Sequence, residues 1–242
     1  MNYRTLLTFA FSLFIFACTP SPEKQAQELV EKSIKAHELS KKWDNVTGIK
    51  FRKCTRLLDE NGAIENEFEQ WVEFRLKPYF EAKLTWTKDS VLHVSSFNGS
   101  RMSYQMGENS IENEGFLKAK RAEINAAFLA FALPWKLTDE HASLAYEGQK
   151  TLDDGKSVES SRVDFGADSD VWWFYFDPIS SKIVSNEQHA KGHKSLIETT
   201  SYDESTGLVL VKERKSFRIG EAGKKGFLQA EYLYSDYELT FE

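Results

Sequence analysis

Cysteine is nearly missing from this chain: its 242 residues hold two, Cys18 and Cys54. Whether Cys54 can pair therefore depends on what becomes of Cys18. Cationic excess is missing too. Lys and Arg number 31 against 37 Asp and Glu, a formal net charge of −6. That balance offers no basic footprint, so no nucleic-acid partner is expected. It also argues against holding anionic headgroups on a broad charged face. No apolar run reaches the ~20 residues needed to span a bilayer as a helix. The phosphate-cradling GxxxxGK[ST], the dinucleotide GxGxxG, the zinc-protease HExxH and the hydrolase GxSxG are all absent. The reading is therefore of a protein with no cofactor, no metal and no catalytic residue. There is no internal repeat, low-complexity tract or second domain.

The N-terminus carries the clearest signal. Arg4 precedes an apolar run, Leu6 to Phe16, of about eleven residues, the length of a signal-peptide core. The run ends Ile15-Phe16-Ala17-Cys18, which resembles the lipobox of bacterial lipoproteins. The resemblance implies cleavage before Cys18 and lipidation of that cysteine. The expected organisation is a signal peptide over 1–17, a lipidated tether over 18–23 and one domain over 24–242. Cys54 is then left without a partner and reads as a small apolar strand residue. A single acyl chain holds a protein only marginally, but the two or three that bacterial lipoproteins usually carry make attachment effectively permanent. Thr19 after the cysteine, rather than Asp, favours outer-membrane sorting by rules known from other bacteria.

The centre of the chain is Phe116 to Trp135. It opens with mixed charge at Lys118, Lys120, Arg121 and Glu123, then turns almost wholly apolar from Ala126 to Leu133. That pattern predicts a helix buried on most of its circumference and stopped by Pro134. A first helix is predicted over Glu23 to Leu39, its apolar stripe including Ala26, Val30, Ile34 and His37; His37 reads as a packed residue. Trp43 is expected to plug the junction with the first strand. Most of the rest alternates with period two, as in Phe68, Gln70, Val72 and Phe74 against Glu69, Trp71 and Glu73. Asn98-Gly99 and Asp153-Asp154-Gly155 are turn signals. The expectation is a mainly β (α+β) domain: one open antiparallel half-barrel of about 11–12 strands. A helix should cover its concave face.

Three clusters tempt a chemical reading. His189 and His193 are spaced i, i+4 near Glu187, but Gly192 interrupts them and the context is a hairpin turn. Asp139, Glu140 and His141 are explained by a turn after Pro134. Val171 to Phe176 puts Val171, Trp173 and Tyr175 on one face and Trp172, Phe174 and Phe176 on the other. Both faces are expected to be covered; an exposed sticky patch is the alternative.

Two stretches together look familiar. One is Phe128 to Asp139 (FLAFALPWKLTD) followed by Tyr146-Glu147-Gly148 and Asp153-Asp154-Gly155-Lys156. The other is Trp173 to Ile183 (WFYFDPISSKI), followed by Tyr202 and Thr206-Gly207. They resemble a family of Bacteroidota outer-membrane lipoproteins of unassigned function. Its fold is similar to that of LolA and LolB, the periplasmic carrier and outer-membrane receptor for lipoproteins. The resemblance implies a half-barrel with a helix-covered hollow and supplies no catalytic residue. The arginine with which the carrier closes its lid cannot be placed. The leading expectation is a membrane-anchored protein that binds an acyl chain, a lipid or a lipoprotein anchor in that hollow. Candidate lining residues are Trp86, Met102, Tyr104, Phe128, Phe131, Trp135 and Trp173. The alternatives are a ligand-free structural or interaction lipoprotein and, third, a hydrolase.

Overall fold

The computed structural model describes residues 20–166, 170–190, 192–220 and 223–242. The predicted signal peptide and Cys18 lie outside them. The first helix, α1 (Pro22–His37), starts where Ser21 accepts a hydrogen bond from Lys24 N and Pro22 occupies the first turn. Both residues suit a helix start: the hydroxyl satisfies an orphan N–H, and proline has none to satisfy. The helix thus begins inside the stretch assigned to the tether and ends two residues before the predicted Leu39, which is exposed.

Six strands follow: β1 (Val46–Leu58), β2 (Ile64–Arg75), β3 (Glu81–Lys88), β4 (Val91–Phe97), β5 (Met102–Met106) and β6 (Asn109–Ser110). After them come α2 (Glu114–Phe131) and a 3₁₀ turn over Trp135–Thr138. Seven more strands complete the chain: β7 (Ser143–Thr151), β8 (Ser157–Asp164), β9 (Val171–Phe176), β10 (Ile183–Ala190), β11 (His193–Asp203), β12 (Leu210–Ile219) and β13 (Lys225–Phe241). The described strands number 13 rather than 11–12, the excess including the two-residue β6, which is too short to show a period.

All of them form one antiparallel sheet in the order β6-β5-β4-β3-β2-β1-β13-β12-β11-β10-β9-β8-β7. Two meanders grow outward from a central β1–β13 pair. The sheet is open, with β6 at one edge and β7 at the other. The segment joining β6 to β7 must cross from edge to edge, and α2 is that segment. This is why the greasy helix lies over the concave face. Register shifts between β1 and β13 at Val46/Gly48 and Lys50/Arg52 mark bulges, which bend long strands and strengthen their twist.

The concave face carries two cores. Toward β1–β3, Ile49, Phe51, Val72, Phe74 and Leu84 pack with Ile124, Ala127 and Phe131 of α2. Toward β8–β10, Val163, Phe174, Phe176 and Ile183 pack with Val30 of α1 and with Leu133 and Leu137. Trp43 stacks on Trp135 at 4.5 Å and lies 5.5 Å from Phe131, the junction plug the sequence implied. On the outer face, Val158, Tyr175 and Leu196 form a third cluster with Trp173 against it. Both faces of β9 are thus covered.

Candidate functional site

The helix spans two cores without filling the space between them. Asn113 caps its N-terminus, accepting from Phe116 N at 2.9 Å. From there Phe128 and Phe131 point into the β1–β3 core, and Leu129 and Leu133 reach the β8–β10 core. Between those rows the helix presents Ala126, Ala127 and Ala130. Three methyl groups cannot reach the middle strands. A hollow of about 310 Å³ remains under them, floored by β10 to β13 and the adjoining β1 and β2. Trp172 and Phe174 wall one side, and Phe68 and Leu84 the other.

The walls are mainly apolar, and the floor adds polar side chains that the sequence reading did not include. Lys53, Gln70, Asn186, Gln188 and Arg214 all line it, with Tyr232 and Tyr234. Cross-strand register explains the set, because directly opposed residues share a face. Lys53 opposes Gln70 on one side and Tyr234 on the other. Arg214 opposes Tyr232, and Asn186 opposes Ile197 and Phe174. Arg214 Nη2 donates to Asn186 Oδ1. Burial pushes the Lys53 ammonium down to about 8, and the nearby Arg214 cation pushes the same way, with Glu123 opposing. Burial raises the Tyr234 phenol to about 12, against the pull of Arg214.

A second, more open groove of about 700 Å³ adjoins the hollow and shares Phe68, Gln70 and Glu123 with it. Trp86, His93 and Tyr104 line this groove. Trp86 stacks on His93 at 5.3 Å, and His93 Nδ1 lies 2.7 Å from the Tyr104 hydroxyl. Lys120 places its ammonium 5.7 Å from the Trp86 ring centre, 5.6 Å from Tyr104 and 5.3 Å from Phe116. It also bonds Glu123 at 2.8 Å. The rim between groove and hollow is therefore closed by a residue of α2 itself.

Trp86, Met102, Phe128, Phe131 and Trp135 of the sequence-predicted residues share the β1–β3 core, with Tyr104 against Trp86, but none of the seven lines the hollow. Trp86 and Tyr104 line the outer groove. Met102 packs on the edge of the β1–β3 core, and Phe128 packs against Phe74 at 5.2 Å and Phe80 at 4.8 Å. Phe131 and Trp135 are buried in that core. Trp173 lies on the outer face, its indole donating to Glu147 at 2.7 Å, so its neighbour Trp172 is the tryptophan of the hollow. The residues that line the hollow were missed. Phase carries a signal for one of them: Ile49 and Phe51 pack in the inner core, and Lys53 shares their parity along β1.

The other clusters are accounted for by packing and turns. His37 is buried, its Nδ1 donating to the Ser33 carbonyl at 2.8 Å. His189 bonds Glu187 at 2.6 Å and lies 4.4 Å from Trp173. Glu140 and His141 are exposed and pair with each other at 3.3 Å, while Asp139 bonds Lys136. Burial and Glu67 both raise the pKa of the Cys54 thiol, with Arg56 opposing. Among the described residues, no group of three or more His, Cys, Asp or Glu could hold a metal ion.

An open antiparallel sheet crossed by an edge-to-edge helix, with a hollow beneath, belongs to the LolA-like class of folds. The structure is similar to a LolA superfamily protein from Nitrosomonas europaea, with a TM-score of 0.54 and 11% identity, over 90% of this chain and 94% of that one. It is also similar to a putative outer membrane lipoprotein-sorting protein domain from Vibrio parahaemolyticus, with a TM-score of 0.53 and 8% identity, over 90% and 93%. At such identities the likeness is one of fold. The chain itself belongs to DUF6503, a family of unknown function, whose model matches residues 5–192. No curated protein sequence matches it.

Proposed function

We propose that this protein is a lipoprotein of the bacterial cell envelope that binds a hydrophobic ligand in the hollow beneath α2. In this reading residues 1–17 are removed, Cys18 is lipidated, and the anchor holds the domain at the outer membrane, facing the periplasm. It is a binding protein, and no catalytic step is involved. The observation that carries the reading is the hollow itself: a helix that packs on both sides and leaves about 310 Å³ under its alanines. The name of the Vibrio neighbour, a lipoprotein-sorting domain, is consistent with it. No described helix is long and apolar enough to cross a membrane.

The volume limits the ligand. Ligand pockets run from ~300 to 1,000 Å³, so this one stands at the small end. It suits a short chain or the end of a longer one, not a whole lipid. Hiding a methylene from water gains ~0.8 kcal/mol, but a chain drawn from a bilayer was already dry. Uptake from a membrane therefore needs only matched packing and a rim that can open. Lys120 and Glu123 form that rim.

The test is mass spectrometry of the domain purified from a bacterial periplasm, comparing native with denatured mass and extracting any bound lipid. A stoichiometric lipid supports the reading. A bare protein that takes up no added amphiphile supports the alternative, a ligand-free interaction lipoprotein. The sealed packing of Phe128, Phe131 and Trp135 favours that alternative. The anchor has its own test. Cys18→Ser should move the protein out of the lipid-labelled fraction, and continued acylation would refute the assignment.

A further inference from the structure

The hollow has a feature that an acyl chain alone does not explain. Arg214 is 5% exposed, and among the described residues its Nε has no hydrogen-bond partner. The Nδ2 of Asn186, the residue that holds its guanidinium, is likewise unpartnered, as is Thr55 Oγ1 on the same face. Lys53 stands one strand away, on the far side of β13, with its ammonium 5.2 Å from the Tyr232 ring centre. Among the described residues neither cation forms an ion pair. Glu123 is the acid whose field reaches Lys53, but it sits exposed at the rim and is held by Lys120. So two cations line one cavity with the Asn186 amide beside them, and the carboxylate among the lining residues, Glu123, stands at the rim away from Arg214.

Burying a charge without a counter-charge is costly, and a buried donor left unpaired adds to the cost. A purely apolar cargo would leave both costs standing. A guanidinium fork matches carboxylate and phosphate oxygens in particular, and charge-assisted bonds of that kind are the strong ones. Trp172, Phe174 and the alanine face of α2 supply an apolar wall on the other side of the same cavity.

We propose that the hollow recognises its ligand by an anionic head: a carboxylate or phosphate monoester seated on Arg214, with Lys53 and Asn186 beside it and the apolar tail under Ala126 and Ala130. The class is a single-headed anionic amphiphile. A lipoprotein anchor, whose acyl chains end in uncharged esters and amides, would leave Arg214 unanswered. The inference rests on the reading of the hollow as a ligand site, and the test separates the two.

Binding is measured by calorimetry on the whole chain held in phosphatidylcholine nanodiscs, with empty nanodiscs as the reference for partition. The probes share one tail: dodecanoate, dodecyl phosphate and dodecanol. Both anions should bind at least ~10-fold more tightly than the alcohol. Arg214→Met should reduce the anions to the level of the alcohol, and Lys53→Met should remove a smaller factor. The ratio between dodecanoate and dodecyl phosphate assigns the head as carboxylate or phosphate. If dodecanol binds the unmodified protein as tightly as the anions, the inference fails while the ligand site stands. If no probe binds, the ligand site fails and the inference with it. Should Arg214→Met not fold, the unmodified protein and Lys53→Met still decide the matter.

Discussion

His37 is locked neutral by its surroundings. Burial pushes its pKa from 6.5 to about 4, and the bond to the Ser33 carbonyl opposes that only in part. A base depressed in the folded state binds more protons when unfolded. Its contribution is therefore present above the ordinary pKa and lost as pH falls through the folded one. Unfolding by urea should show stability dropping between pH 6.5 and about 4, with this residue supplying up to about 3 kcal/mol. His37→Leu should flatten that slope, and an unchanged slope would assign it elsewhere. Lys53 follows the same sign in another window. Its stability contribution is complete above 10.5 and lost as pH falls to about 8. At neutral pH the ammonium is thus a burden on the fold. Lys53→Met should stabilise the protein by ~1 kcal/mol at pH 7, the reverse of what a structural lysine would show. Thermal melts of the two proteins decide it.

The α2 helix does two things that conflict. Its large residues join it to both cores, and its small ones keep it off the floor. Replacing Ala126 and Ala130 by Leu should close the hollow while keeping the helix, since leucine is nearly as good a helix former as alanine. The double variant should melt no lower than the parent and should lose amphiphile uptake by at least ~10-fold. Uptake that survives would place the ligand in the outer groove by Trp86 and Tyr104. The same element shows what the sequence could and could not tell. The helix was legible because Phe128, Phe131 and Leu133 are large and Pro134 follows. So was the sheet, from alternation such as Val72 and Phe74 against Trp71 and Glu73. The hollow was not, because the eye goes to big aromatic residues, and big aromatic residues fill space. Cavities are made by what is small. Ala126, Ala127 and Ala130 mark the place, but alanine suits any helix position and so carries no such signal by itself. Trp173 misled for another reason. A strand with aromatics on both sides gives no period by which to choose between Trp172 and Trp173.

At the scale of the whole molecule the sheet is two meanders and one seam. Every neighbouring pair except β1–β13 is close in the sequence, and that pair joins residues as distant as Val46 and Phe241. Ending the chain at Lys224 should therefore remove more than one strand. It would leave a six-stranded and a six-stranded half, each with a new open edge at the former centre. Far-ultraviolet circular dichroism of that truncation should show loss of most of the cooperative sheet signal; a sharp native-like melt would show that the halves hold together through α1 and α2.

The position of that seam also sets a timetable. A chain made from its N-terminus delivers β1 early, and β1 then waits with one edge bare until the last 17-residue strand arrives. Throughout that interval the cell holds a half-made sheet whose longest unpaired edge is in the middle of the future molecule. Non-local pairing of this kind is slow, and such edges invite foreign strands. The protein is therefore one whose yield depends on how well it is chaperoned in the moments before its final residues emerge.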